Sequence, residues 1–272
     1  MHAPYRGHRI VPGVMAPPLD AFTQPAGAYS FRKLRSAYAG PAIRIRRASD
    51  NAELDINFLG FVPGLGSPWD VAAATAHCAA TSCFVVTMYD QSGNSRDITQ
   101  ATPANQPALV FNCVNGLACF QNTANLMGLT TVANVTPATG VVSMAAVAAR
   151  LAGTGQCTVV RQNGAANNRL NGRGGASGFQ LMSAVGAIFV VVTEGAWHSL
   201  VGVINGASSS LTSEGPSATG SVTGNTSLGT QGSAGVASTT CAQTELIVWD
   251  NYVLTAGETT ALIGNQRSYW GF

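Results

Sequence analysis

Apolar residues along this chain fall mostly on alternate positions in short runs, the period of a strand with one buried and one wet face. Ile43 and Ile45, then Leu54, Ile56 and Phe58, alternate with polar neighbours, and Asp50 and Asn51 supply a turn between them. A strand-like run CFVVTMYD follows at 83–90, and beyond residue 98 the signature recurs as PALVFN, VVSMAAVAARL, CTVVRQ, GFQLMSA, AIFVVVT, HSLVGVIN, SSSLTS and TELIVWD between Gly, Asn and Ser clusters. Many short strands with regular turns predict an all-β, two-sheet sandwich or jelly roll. The Gly, Ser and Thr stretch 207–240 reads as loops and edge strands. Helical signals are few. DVAAATAHCAA (70–80) is Ala-rich with Asp70 at its start, AYSFRKLRSAY (28–38) leans helical, and Thr255 with Glu258 three residues on forms a capping box ahead of a short closing helix.

Residues 1–27 hold five of the twelve prolines and show no apolar period, so they predict an extended arm that orders against a partner. Residues 28–272 then form one sandwich domain, within the usual size of such units. Tyr5, Arg6, Arg9 and Phe22 are the candidate anchors of the arm, and long arms that wrap neighbours imply a homo-oligomer. Only 10% of residues are charged, and eight of the fourteen basic ones lie in the first 47 positions. Those cations are spread among Pro, Tyr and Ile rather than clustered, which argues against a nucleic-acid partner. No apolar run is long enough for a membrane span, and Ala187 to Thr193 is strand-sized. The first residues contain no uninterrupted apolar stretch of the secretory-signal kind.

Six cysteines are an even number with two short spacings, Cys78-x4-Cys83 and Cys113-x5-Cys119, which leaves Cys157 and Cys241 for a long-range bridge. Disulfides are favoured over metal or free buried thiols because CxxC is missing and the histidines sit at 2, 8, 77 and 198. Of possible calcium ligands, only Asp90, Asn94 and Asp97 come close in sequence. No metal and no cofactor is expected.

The stretch from Asp70 through Cys78, Cys83 and Tyr89-Asp90-Gln91-Ser92-Gly93-Asn94 to Thr99-Gln100-Ala101 resembles the opening of the arabinofuranosidase B catalytic domain. Gly195-Ala196-Trp197-His198-Ser199-Leu200, Glu245 to Trp249 and the closing Asn265-Gln266-Arg267-x-Tyr269-Trp270 are similar to concanavalin-like and laminin-G-like domains, which occur in bacterial and tailed-phage surface proteins. Together the resemblances cover most of residues 28–272 and imply a concanavalin-like jelly roll.

A retaining glycosidase needs two carboxylates about 5–5.5 Å apart. Between Asp97 and Glu194 the chain has none, although the resemblance would place an active-site Glu there beside adjacent cysteines, and Cys113 and Cys119 are separated. Glu194, Glu245, Asp250 and Glu258 read as turn, strand-end and cap residues, and no GxSxG elbow is present. The expectation is therefore a protein without catalytic residues. Asp90 either orients a sugar hydroxyl or bonds backbone amides of its own turn, and Trp197 either stacks on a sugar or joins the core. The glycan-binding candidates are Tyr89, Asp90, Gln91, Asn94 and Trp197. These readings combine into a non-enzymatic virion surface protein of a tailed phage, a decoration, spike or fibre protein whose arm docks on capsid or tail proteins and whose sandwich binds host polysaccharide. The alternatives are an arabinofuranosidase-like hydrolase with relocated acids, and a secreted lectin or adhesin.

Overall fold

The computed structural model describes residues 16–62, 66–122, 127–132, 139–153, 155–162, 168–173, 177–226, 230–234 and 239–272. Its strands are β1 (Gly27–Ser30), β2 (Ile43–Arg47), β3 (Glu53–Ile56), β4 (Cys83–Met88), β5 (Ile98–Thr99), β6 (Ala108–Val114), β7 (Leu117–Asn122), β8 (Thr130–Thr131) and β9 (Val142–Gly153). They continue as β10 (Cys157–Gln162), β11 (Asn168–Gly172), β12 (Phe179–Met182), β13 (Ala187–Val190), β14 (Trp197–Ile204), β15 (Gly206–Thr212), β16 (Ser217–Val222), β17 (Gly232–Ala234) and β18 (Thr239–Asp250). Two α-helices occur among the described residues, α1 (Val71–His77) and α2 (Ala256–Trp270). The predicted all-β sandwich with short helices is what forms.

Pairing is antiparallel throughout, and the strands fold into two layers. One runs β16-β15-β14-β9-β18-β1. The other runs β3-β2-β4-β5-β8-β17-β10-β11-β12-β13. β6 and β7 bridge them from β4 to β18. The core between the layers holds Ile43, Ile45, Met88, Leu170, Leu181, Leu200 and Leu246, each alternating with residues on the outer faces. Two glycines let the layers approach: a Cβ on Gly202 of β14 would lie 2.6 Å from Leu181 Cδ1 of β12, and one on Gly220 of β16 would lie 2.5 Å from Ile188 Cγ2 of β13.

A second apolar cluster, with Ala145, Val201, Ile247 and Trp249, lies on the far side of the first layer beneath α2 and the chain from Leu19 to Leu34. α2 starts as the sequence predicts: Thr255 accepts from Glu258 N and Glu258 reaches back to Thr255 N. α1 is capped by Asp70, whose carboxylate accepts from Ala73 N at 3.0 Å. Residues 28–38 do not form the helix their propensities favour. β1 pairs with β18 instead and all four of its residues are buried, so tertiary pairing overrides local preference. Of the expected arm, Tyr5, Arg6 and Arg9 lie outside the described residues. Its last part packs on the chain's own sandwich: Leu19 is fully buried and Phe22 sits 6.3 Å from the Trp249 ring.

Bridges Cys78–Cys83 and Cys113–Cys119 are formed. Cys241 is disulfide-bonded, while the side chain of Cys157 lies outside the described residues.

Where β14 begins, His198 bonds the Glu214 carboxylate through Nδ1 and the Thr193 carbonyl through Nε2. Burial disfavours the imidazolium, but Glu214 and Thr193 O outweigh it and raise His198 above its ordinary value; burial likewise works against Glu214, which His198 and Ser213 hold below its own. A raised histidine contributes stability below its unfolded value of about 6.5 and loses it as pH climbs through the folded one. The thermal midpoint of the wild type is therefore expected to fall from pH 6 toward pH 9 more steeply than that of His198→Gln. Parallel curves would rule the pair out as a stabilising contact.

Candidate active site

The YDQSGN loop is built around the N-terminal chain. Asp90 accepts from Ala28 N and Ser92 N through Oδ1, and from Ser92 Oγ and Arg96 N through Oδ2. Gln91 is buried, accepting from Leu34 N and donating to Ser30 O and Arg32 O. Asn94 donates to Pro25 O at 2.8 Å and Ala26 O at 3.2 Å. These side chains clamp residues 25–34, and their polar atoms are occupied in doing so. Trp197 stands apart at the start of β14, packed against the core. Tyr89 faces outward and donates to Asp55 Oδ1 at 2.7 Å.

Tyr89 belongs to a polar surface not visible in the sequence. Cross-strand partners run in one row along the outer face of the second layer, from Asp55 through Arg44, Thr87, Thr99 and Thr130 to Gly232, Arg161, Arg169 and Met182. A neighbouring row holds Thr158, Asn171, Gln180 and Phe189. Paired residues share a face, so strands more than a hundred residues apart build one continuous hydroxyl-, amide- and guanidinium-rich surface.

Carboxylates stand at one end of it. Arg44 grips Asp55 through Nε at 2.7 Å and Nη2 at 2.8 Å, and with Tyr89 it holds the Asp55 carboxyl below its ordinary range. Asp97 immediately precedes the core residue Ile98 and is half-buried; burial pushes its carboxyl up, against the Asp90 N–H that donates to its Oδ1 at 2.8 Å and with the Asp90 charge adding to the rise. Tyr38 lies close enough to be raised by the Asp97 charge as well as by burial. Environments that drive two carboxyls in opposite directions are what acid-assisted glycoside cleavage requires.

Other acids are otherwise engaged. Glu245 is fully buried, bonded to Arg32, Gln266, Trp270 and Ser30. Glu258 caps α2, and Glu194 pairs with Arg150 at 3.5 Å. Asp250 is pushed up by burial but is tied to Arg96 at 3.2 Å, across a polar hollow of about 270 Å³ that Gln24 and Asn94 also line. A second hollow, about 190 Å³, is lined by Phe31, Trp69, Leu117, Tyr269 and Trp270 among other apolar residues. No carboxylate lines it, so it could not fix a sugar's orientation through charge.

Comparison with known proteins gives a consistent picture. A family model described as "Alpha-L-arabinofuranosidase B, catalytic" matches residues 20–162, just over half of the chain. Alpha-L-arabinofuranosidase B of Emericella nidulans is 42% identical over 72 residues, 26% of this chain and 13% of that protein. A probable alpha-L-arabinofuranosidase B of Aspergillus fumigatus is 34% identical over 110 residues, 39% of this chain and 21% of that protein. Among solved structures, an arabinofuranosidase complexed with arabinofuranosyl-alpha-1,2-xylobiose superposes with a TM-score of 0.68 at 17% identity, covering 93% of this chain and 65% of that one. A Glu-to-Gln mutant of a GH54 arabinofuranosidase soaked with 4-nitrophenyl a-l-arabinofuranoside gives 0.66, also at 17% identity, over 90% and 62%. The chain thus aligns with about a fifth or less of these two curated relatives and under two thirds of the solved chains.

Proposed function

Because the chain belongs to the family of the alpha-L-arabinofuranosidase B catalytic domain, we propose that it is a glycoside hydrolase directed at α-L-arabinofuranosyl groups. The family match over residues 20–162 carries this reading, and the shared sandwich supports it. It also overturns the expectation of a non-enzymatic phage virion protein located on a particle surface. The Pro-rich arm, the cysteines and the scarcity of acids in the sandwich led there together, whereas the relatives are arabinofuranosidases and the disulfides suit an extracellular setting.

In this proposal Asp97, whose carboxyl burial raises above its ordinary value, donates its proton to the leaving glycosidic oxygen. Asp55, kept ionised by Arg44, faces the developing oxocarbenium charge as nucleophile or as base toward water. Thr99 Oγ1 donates to Val86 O at 3.0 Å and so accepts from Thr87 Oγ1 at 3.1 Å, which leaves the Thr87 oxygen as an acceptor for a sugar hydroxyl. The test is turnover of 4-nitrophenyl α-L-arabinofuranoside. Asp97→Asn and Asp55→Asn are each expected to lower kcat/KM at least a hundredfold, a loss of about 2.7 kcal/mol of transition-state stabilisation. Wild-type activity should fall as pH rises through the elevated Asp97 value. Full turnover in both variants would remove these roles, and a wild type that releases no nitrophenol from aryl arabinofuranosides would remove the hydrolase reading.

A further inference from the structure

At the other end of the same polar face, three guanidinium groups stand without acids. Arg161 of β10 is the direct cross-strand partner of Arg169 of β11. Arg173 follows just past the end of β11, over the Phe189 ring at 4.0 Å. The sequence has no Asp or Glu from 98 to 193, and neither Arg161 nor Arg169 has an ion pair among the described residues. Arg161 Nη2 donates to Thr230 Oγ1 at 3.2 Å, but the Nε atoms of Arg161 and Arg169 are buried with no hydrogen-bond partner among the described residues. Burial lowers both guanidinium values, and at Arg161 the charge of Arg169 adds to it. Two like charges paired across strands destabilise a sheet, so this end of the face is charged against its own stability.

The surroundings point to a ligand rather than to a lone anion. Asn171, between Arg169 and Arg173 on the same face of the strand, is fully buried; its Nδ2 donates to Met182 Sδ, and its Oδ1 has no partner among the described residues. Alternate residues of a strand are about 6.7 Å apart, close to the width of a sugar ring. Guanidinium forks match carboxylates in bidentate geometry, and a neighbouring amide suits a ring hydroxyl. We infer that Arg161, Arg169 and Asn171 form a binding site for a uronate residue of an acidic glycan, the guanidinium pair holding its carboxylate. The ligand then supplies the counter-charge that the fold omits.

This inference rests on the face being a saccharide surface but not on hydrolysis. Calorimetric titration with trigalacturonate tests it, with galactotriose as the neutral control and inorganic phosphate as an anion without a ring. Trigalacturonate is expected to bind, more weakly as salt is raised, and at least tenfold more weakly to Arg169→Gln and Arg161→Gln. Galactotriose and phosphate should bind at least tenfold more weakly than trigalacturonate. Because each substitution removes a like-charge contact, neither variant should melt below the wild type. Equal binding of the acidic and neutral sugars, equal binding of phosphate, undiminished binding by Arg169→Gln, or a lowered melting temperature would each overturn the assignment. Failure of arabinofuranoside turnover leaves all of these readouts in place, so the two proposals fail separately.

Discussion

Replacing Arg32 by Met is expected to destabilise the fold by about 3–5 kcal/mol, because it strips the countercharge from a buried carboxylate. Arg32 is 3% exposed and Glu245 0%, with Nε–Oε2 at 2.7 Å and Nη2–Oε1 at 3.0 Å. Arg32 also donates to Asn265 at 2.7 Å and lies 4.6 Å from the Tyr269 ring centroid, so the pair fastens α2 to β18. Ser30, Gln266 and Trp270 would still donate to Glu245, but none carries charge. The double variant Arg32→Met with Glu245→Gln should recover much of the loss, since what costs most is the unpaired charge and not the missing contact. Urea unfolding of the two variants measures both. A single-variant loss under 1 kcal/mol would show that the ion is solvated or neutralised in place.

Asp90→Ala should be comparably damaging, by about 3–5 kcal/mol, at about 1–3 kcal/mol for each buried donor left unmade. Three backbone N–H groups and the Ser92 hydroxyl converge on this carboxylate. Its loss should free the chain between Gln24 and Leu34 along with the loop, so protease cleavage in that segment should accelerate in step with the fall in stability. Global destabilisation without faster cleavage there would mean that the segment is held by Gln91 and Asn94 alone. Asp90→Asn, retaining one acceptor oxygen, should fall between the two.

Strand positions were legible because alternation is local: Ile43, Ile45 and Ile56 announce their face without knowledge of any partner. The caps at Asp70 and Thr255 were legible for the same reason. Docking of residues 19–34 was not, since it depends on side chains some 57 to 70 positions away, Gln91 and Asn94 among them, and a Pro-rich stretch looks extended whether it is docked or free. The polar face was missed for a related reason. Asn168 to Gly172 lacks the β-branched signature of a strand, and the row that joins Asp55 to Arg169 exists only once eight strands are aligned. The count of acids considered the span from 98 to 193 and the later Glu194, Glu245, Asp250 and Glu258, and did not consider Asp55; that Asp55 and Asp97 reach one face depends on strand pairing, and the burial that raises the Asp97 carboxyl leaves no trace in sequence.

Gly202 and Gly220 have a mechanical consequence. Each is a notch that receives one particular methyl group from the opposite layer, so the sandwich is indexed along its strands like a toothed rail. Sliding one layer by a single residue pair, about 6.7 Å, would drive Leu181 from its notch against Leu200 or Ile204. Shear of that kind is therefore sterically blocked rather than merely unfavourable, and a load applied along the strands should be resisted until the layers part.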